Sequence, residues 1–250
     1  MILIGLYDAK AYCRGLVQRT GLVSRQTSDP YVDFIRRYRI NVVLDVGANQ
    51  GQYGRRIMAS GFRGNLVSFE PLPEALVKLK ANARPHANWQ VLPIALGSEN
   101  KTATINVAGN LQSSSFLPML SRHEKASPQS AYIAHHDVNV RRLDGMFDDF
   151  CQPADCVYLK LDAQGFEQEV LAGAGTKLAE ITCIQTEMSI EPLYNGEATW
   201  LEMIDFLDLK GFRLMHLNSG FRDPKTGQTL QVEGVFIQSH AVESAGLSEN

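Results

Sequence analysis

An α/β fold built on a doubly wound, mostly parallel sheet is what this chain of 250 residues predicts, on three features. Short apolar runs alternate with amphipathic helical stretches from Val42 to Gln238, the pattern of strands whose two faces are covered by helices. The stretch Asn41–Pro71, NVVLDVGANQGQYGRRIMASGFRGNLVSFEP, sets an apolar run, a glycine-bearing turn, a helix and a second apolar run in that order. Acids follow the apolar runs at Asp45, Glu70, Asp162 and Glu187, and strand carboxyl ends collect on one edge of such a sheet.

Residues 1–39 precede the first strand as a helical extension. Ala9–Arg19 has helical composition, and Ser28-Asp29-Pro30 reads as a helix start with proline in the first turn. Tyr31, Phe34, Ile35 and Tyr38 give that helix an apolar face, suited to capping the domain or to a homo-oligomer contact. The domain itself spans residues 40–240. Val42–Val46 is its first strand, Gln52–Ser60 its first helix and Leu66–Phe69 its second strand. A helix over Leu72–Arg84 buries Ala75, Leu76, Leu79 and Ala83. Trp89–Leu96 is a continuous third strand, and Lys101–Val107 alternates like a short added one.

Residues 109–137 are irregular and polar. They hold Asn110, Gln112, Ser113, Ser114, Ser115, Arg122, His123, His135 and His136. A long loop in a compact domain is usually functional, so this segment is expected to form a lid over a hydroxylated acceptor. Val138–Arg142 then reads as a strand and Leu143–Phe150 as a short helix. Cys156–Asp162 is the fourth core strand, turning at Ala163-Gln164-Gly165 into a helix over Phe166–Ala172. Ile181–Thr186, Phe212–Leu217 and Val232–Gln238 complete seven core strands, with a helix over Thr199–Leu209 and a frayed tail over residues 241–250.

Composition narrows the function classes. A hydrophobic content of 44%, a charged content of 20% and a net charge of −3 describe one ordinary globular domain with no basic stripe for nucleic acid. Cys13, Cys151, Cys156 and Cys183 are scattered and complete no zinc pattern; free thiols and a cytoplasmic location are expected. The apolar N-terminal run meets Asp8 and Lys10 too early to span a membrane, and it lacks the basic start of a signal peptide.

The glycine spacing selects the ligand. Dinucleotide sites want G-x-G-x-x-G, but Asn49 stands two places after Gly47. Asp45 would also set a negative charge near any phosphate. A ligand with a ribose, no phosphate and a positive centre fits better, and S-adenosylmethionine has those features. Glu70 is placed to accept the ribose hydroxyls. Asp162 and Glu187, held on strands, are the leading bases for an acceptor hydroxyl, with His135, His136 or His216 as alternatives. Lys160 shares a strand face with Asp162 and can pair with an acid or orient the acceptor oxygen. Asp162 and Glu187 could together hold Mg²⁺, although Asp162 also suits a plain helix-cap role.

Six motifs occur in order: DVGANQGQY, FEPLP, ALG, SSSF, LKLDAQGFEQEVLAGA and EMSIEPLY. Together they resemble the FkbM-type S-adenosylmethionine-dependent methyltransferases, and the resemblance covers about Val42 to Ile237. It implies a Rossmann-like sheet whose last strand runs antiparallel. It also implies an O-methyltransferase acting on a small hydroxylated acceptor, most often a glycosyl unit of a glycolipid, polysaccharide or natural product. Cofactor contacts then fall to Asp45, Gly47, Ala48, Asn49, Gly51, Tyr53, Glu70, Pro71, Ala95, Leu96 and Asp162. Ser113, Ser114, Ser115, His135 and His216 are the candidate acceptor contacts, and Asp162, Glu187, His136 and Lys160 the candidate catalytic groups. Alternatives are a polyketide or peptide hydroxyl as acceptor, a nucleotide-dependent oxidoreductase, and a non-catalytic cofactor-binding protein.

Overall fold

The computed structural model describes residues 29–244; the expected helix Ala9–Arg19 and residues 245–250 lie outside them. Two units are distinguished, one ending at Phe34 and one running from Ile35 onward. Helix α1 (Pro30–Arg37) contains the division. It starts at the expected proline, where the Asp29 carboxylate accepts the Tyr31 amide at 3.1 Å and so satisfies one donor of its open first turn.

The larger unit is built on a seven-stranded sheet. Its strands are β1 (Val42–Val46), β2 (Asn65–Phe69), β3 (Trp89–Leu92), β7 (Val157–Leu161), β8 (Ile181–Ser189), β9 (Phe212–Ser219) and β10 (Gln231–Gln238). They lie in the order β3-β2-β1-β7-β8-β10-β9. All pairings from β3 to β8 are parallel, whereas β10 runs antiparallel to both β8 and β9. The reversed last strand is therefore present and sits one place in from the sheet edge. Strands β1 and β7 are buried along their whole length, which is why they read as unbroken apolar runs.

Helices α2 (Gln52–Ala59), α3 (Pro73–Ala83), α5 (Glu167–Ala174) and α6 (Trp200–Leu209) follow strands of the sheet, and a short helix α4 (Ser121–Ala126) lies between α3 and α5, in the segment before residue 132. Helix α6 opens with a reciprocal cap: the Thr199 amide donates to Glu202 Oε2 at 2.8 Å, and the Thr199 hydroxyl accepts from the Glu202 amide. Leu44, Phe69, Leu159, Leu161, Val170, Ile184 and Phe236 are each at most 1% exposed and belong to one continuous core. That core fixes the strand ends on which the site stands. Among the described residues no helix is long and apolar enough to cross a membrane.

A second sheet, in the order β4 (Ala95–Leu96), β6 (Tyr132–Arg141), β5 (Lys101–Ala108), is a body that the sequence does not single out. The expected third strand divides at Pro93, which has no amide to give to a ladder. Trp89–Leu92 stays in the main sheet, and β4 (Ala95–Leu96) leaves it to pair with β6. Strand β6 (Tyr132–Arg141) pairs antiparallel with β5 (Lys101–Ala108), so residues 132–137 are strand rather than lid. The expected helix over Leu143–Phe150 is only a 3₁₀ turn at Phe147–Asp149. Strand β8 continues past Thr186 because β10 extends its ladder to the pair Gln231–Ser189. Part of the expected tail is helix α7 (Ser239–Ser244).

Candidate active site

Strand β1 ends at Val46, and the chain turns at once through Gly47. Gly47 has φ 71°, and a Cβ there would lie 1.9 Å from the Asp162 carbonyl oxygen. Only glycine lets this turn press against the end of β7. The Gly47 and Ala48 amides donate to the Phe69 carbonyl at 3.1 Å each, which ties the turn to the tip of β2. Asn49 takes a left-handed φ of 47°, tolerable for asparagine.

Glu70 follows β2 and is 4% exposed. Its Oε2 accepts the Asn49 amide and its Oε1 the Leu72 amide, each at 2.8 Å. Each oxygen keeps a further lone pair for a ligand. Burial pushes the Glu70 carboxyl up to about 7, against the pull of the two amides. Glu167 is likewise pushed up to about 7 by burial, although it accepts the Ala163 amide at 2.7 Å. Such acids hold protons more tightly folded than unfolded, so folding stability falls as pH rises from about 4.5 to about 7. Thermal unfolding of the ligand-free protein should therefore occur several degrees higher at pH 5.5 than at pH 8. Glu70→Gln should flatten that dependence; an unchanged midpoint across the window would contradict it.

Glu70 and the Gly47 turn open onto one cavity of about 680 Å³. Gly47, Ala48, Asn49, Tyr53, Glu70, Pro71, Ala95 and Leu96 line it. Asn110, Ser113, Ser114, His123, Ser127 and Ser130 also line it, as do Lys160, Asp162, Gln164, Glu187, Gln231 and Glu233. Four acidic side chains (Glu70, Asp162, Glu187, Glu233) and two cations (Arg56, Lys160) face this space, and a cationic ligand among them would favour the charged form of the buried acids.

Lys160 is 6% exposed and lies 3.4 Å from Asp45 Oδ1 and 3.3 Å from Asp162 Oδ2. Burial works against its ammonium, but the Asp162 and Asp45 carboxylates outweigh that and hold it above the usual lysine range. Asp45 is fully buried, accepts from Ser68 Oγ at 3.2 Å, and does not line the cavity. Burial raises its pKa, against the attraction of Lys160. It is the fourth of five residues in β1 rather than the last, and it pairs with Lys160.

Gln164 joins the two leading acids. Its Nε2 donates to Asp162 Oδ1 at 2.8 Å and to Glu187 Oε2 at 3.1 Å, while its Oε1 accepts from Tyr194 Oη at 2.7 Å. The backbone here has φ 53°, a strained conformation for glutamine that these bonds and the Ser115 Oγ bond to its carbonyl, 2.6 Å long, hold in place. Nothing in this geometry supports the Mg²⁺ expectation for Asp162 and Glu187. An amide donor already stands between the two carboxylates. Among the described residues no group of three or more His, Cys, Asp or Glu side chains is arranged to hold a metal. Glu187 also accepts Gln231 Nε2 at 3.1 Å. Burial, then the Asp162, Glu167 and Glu233 carboxylates, raise its pKa well above the ordinary glutamate range.

Other expected contacts lie elsewhere. Gly51 caps α2 with φ 84° and packs toward Leu79 and Trp89 rather than the cavity. Ser115 is enclosed beneath Gln164 and does not line the cavity. His135 and His136 sit on β6 rather than on a loop. His136 pairs with Glu74 at 3.3 Å, half-exposed, and neither histidine reaches the cavity lining. His216 lies on edge strand β9, also outside the lining. Conversely, His123, expected only as one member of the polar lid segment, lines the cavity, as do Gln164, Gln231 and Glu233, which carried no site expectation. The one sequence signal for the last pair is their two-residue spacing in an otherwise apolar strand, which puts both side chains on one face.

The chain is 27% identical over 175 residues to the 2-O-methyltransferase NoeI of Sinorhizobium fredii (strain NBRC 101917 / NGR234), an alignment covering 66% of this chain and 70% of that protein. Among solved structures, it is similar to the magnesium protoporphyrin IX methyltransferase ChlM from Synechocystis PCC 6803 with bound SAM, at 11% identity and a TM-score of 0.47, covering 86% of this chain and 79% of that one. It also aligns with an uncharacterized protein from Listeria monocytogenes serotype 4b at 9% identity and a TM-score of 0.45, covering 80% of this chain and 62% of the length of that one. Residues 45–214 match the methyltransferase FkbM domain, more than half of the sequence, and the chain belongs to that methyltransferase family.

Proposed function

We propose that this protein is an S-adenosylmethionine-dependent O-methyltransferase whose acceptor is a hydroxyl on a glycosyl unit. The observation that carries this is the single cavity joining Glu70 and the Gly47 turn to a wall of serine, asparagine and histidine side chains. The residues present fit the cofactor. Glu70 is fixed by two amides with lone pairs to spare for ribose hydroxyls, Ala95 and Leu96 give apolar surface for a base, and the acidic side chains suit a sulfonium, which would favour their charged forms. When bound, the cofactor supplies an electrophilic methyl group.

The chain's own residues do the rest. Ser113, Ser114 and their neighbours hold the acceptor so that one hydroxyl oxygen is aligned for displacement; such alignment is a large part of the rate. Asp162, braced by Lys160 and Gln164, steadies that hydroxyl. Glu187 takes its proton as the new carbon–oxygen bond forms. The 2-O-methyltransferase relative supports oxygen as the atom modified. The hydroxyl-lined wall supports a sugar over a polyketide or peptide acceptor, and the family match lends nothing to the oxidoreductase alternative.

Incubation with methyl-labelled S-adenosylmethionine and a panel of sugar-bearing extracts, followed by mass analysis, tests this. Label is expected on a glycosyl oxygen. Label confined to a non-sugar acceptor would replace the sugar assignment, and tight cofactor binding with no transfer to any extract would favour the non-catalytic alternative.

A further inference from the structure

The serine-rich wall of the cavity is a hydrogen-bond chain with a direction. The Ser113 amide donates to Asn110 Oδ1 at 3.0 Å, which fixes the orientation of that side-chain amide. Asn110 Nδ2 therefore faces Ser113 Oγ at 3.0 Å and Ser130 Oγ at 3.1 Å as a donor to both. Ser130 Oγ spends its proton on Ser127 Oγ at 2.8 Å. The 2.9 Å contact between Ser113 Oγ and Ser130 Oγ must then carry the Ser113 proton. Every hydroxyl up to this point is committed. The chain ends at Ser127, whose oxygen accepts from Ser130 and whose own proton has no acceptor among the described residues. Ser127 is 7% exposed and lines the cavity.

His123 stands beside that terminus, its carbonyl accepting the Ser127 amide at 2.8 Å. It is 4% exposed, also lines the cavity, and is flanked by the rings of Tyr194 and Phe221 at 5.2 and 5.5 Å. Its Nδ1 is enclosed with no hydrogen-bond partner, whereas Nε2 is not among the enclosed atoms. A proton on Nδ1 would be a buried donor with nothing to receive it, which costs free energy. The neutral ring therefore carries its proton on Nε2. Burial supports the neutral form by pushing the ring down to about 4.

We propose that Ser127 Oγ–H and His123 Nε2–H form a paired, uncharged donor site that receives a ring or hydroxyl oxygen of a neutral sugar next to the hydroxyl being methylated. This rests on the cavity being the methyl-acceptor site. The two donors lie one helical turn apart in sequence and need no counter-charge. The carboxylates elsewhere in the cavity disfavour an anionic group in the same space. His123 is thus a binding residue and not the proton acceptor of the reaction.

Saturation-transfer NMR with millimolar methyl α-D-gluco-, galacto- and mannopyranoside, each with S-adenosylhomocysteine present, tests the site. At least one glycoside should receive saturation from the wild-type protein. Ser127→Ala and His123→Phe should each weaken its binding roughly three- to tenfold, as the loss of one neutral hydrogen bond predicts. Calorimetry should show S-adenosylhomocysteine affinity unchanged in Ser127→Ala, which establishes that the fold survives. Equal glycoside affinity in Ser127→Ala and wild type, or no transfer to any of the three glycosides, overturns the proposal. Failure of S-adenosylhomocysteine to bind the wild type overturns the parent reading, and this one with it. Nitrogen-15 spectra of the histidines give a check independent of any sugar: His123 should be the Nε2–H tautomer at neutral pH, and an Nδ1–H tautomer or an imidazolium would contradict the assignment.

Discussion

Glu187→Gln is expected to lower turnover by roughly 10²–10⁴-fold, the range for losing a positioned general base. S-adenosylhomocysteine affinity should stay within about threefold, because the proposed role of Glu187 is on the acceptor hydroxyl and not in holding the cofactor. The reason lies in how Glu187 is held. Strand β8 fixes its backbone, which pairs with Glu233 of β10 one residue beyond the last β7–β8 pair, Leu161–Thr186. The amides of Gln164 and Gln231 both fall on Oε2, each at 3.1 Å, which leaves Oε1 to meet the acceptor hydroxyl. Burial and the surrounding carboxylates make this glutamate a stronger base than one in water. The wild-type rate should accordingly rise with pH as Glu187 loses its proton, and the glutamine variant should lose that rise. Stopped-flow or single-turnover assays across pH check both points. Unchanged turnover in Glu187→Gln would pass the proton to another group, with Asp162 next in line through its bond to the same Gln164 amide.

Much of this architecture was legible in the sequence because its signals are local. The strand–glycine–helix–strand unit from Val42 to Glu70 needs only apolar runs, a glycine that admits positive φ and an acid after the second run. All of these appear within one or two residues of their expected places. The acids Glu70, Asp162 and Glu187 do share one cavity. What failed depended on partners distant in sequence. His135 and His136 alternate with apolar residues only weakly, and it takes β5 alongside to make their segment a strand. Asp45 reads as a strand-end acid, yet its fate is set by Lys160 on the neighbouring β7. Gln164 carries no composition signal at all. Its importance comes from the two carboxylates and the tyrosine that meet its amide, none of which periodicity could bring together. His123 reads only as one polar residue of the lid segment, because a histidine there looks solvated until packing encloses it.

The second large effect falls on the cofactor. Glu70→Ala removes the carboxyl assigned to the ribose hydroxyls, and the loss of two hydrogen bonds from an enclosed site should weaken binding by roughly 10–100-fold. Part of that effect is indirect, because the Asn49 and Leu72 amides also lose their acceptor and the turn after β1 loosens. Glu70→Gln keeps the size and one acceptor oxygen, so its effect should be smaller and should separate the two contributions.

Calorimetric titration of the wild-type protein and Glu70→Ala with S-adenosylhomocysteine, set against NADH, bears most directly on the adenosine site at the β1 turn. S-adenosylhomocysteine should bind the wild type in preference to NADH. Its affinity should fall at least about tenfold when Glu70 becomes alanine, the low end of the range for two such bonds. Preferential binding of NADH, or undiminished binding of S-adenosylhomocysteine by Glu70→Ala, would contradict it.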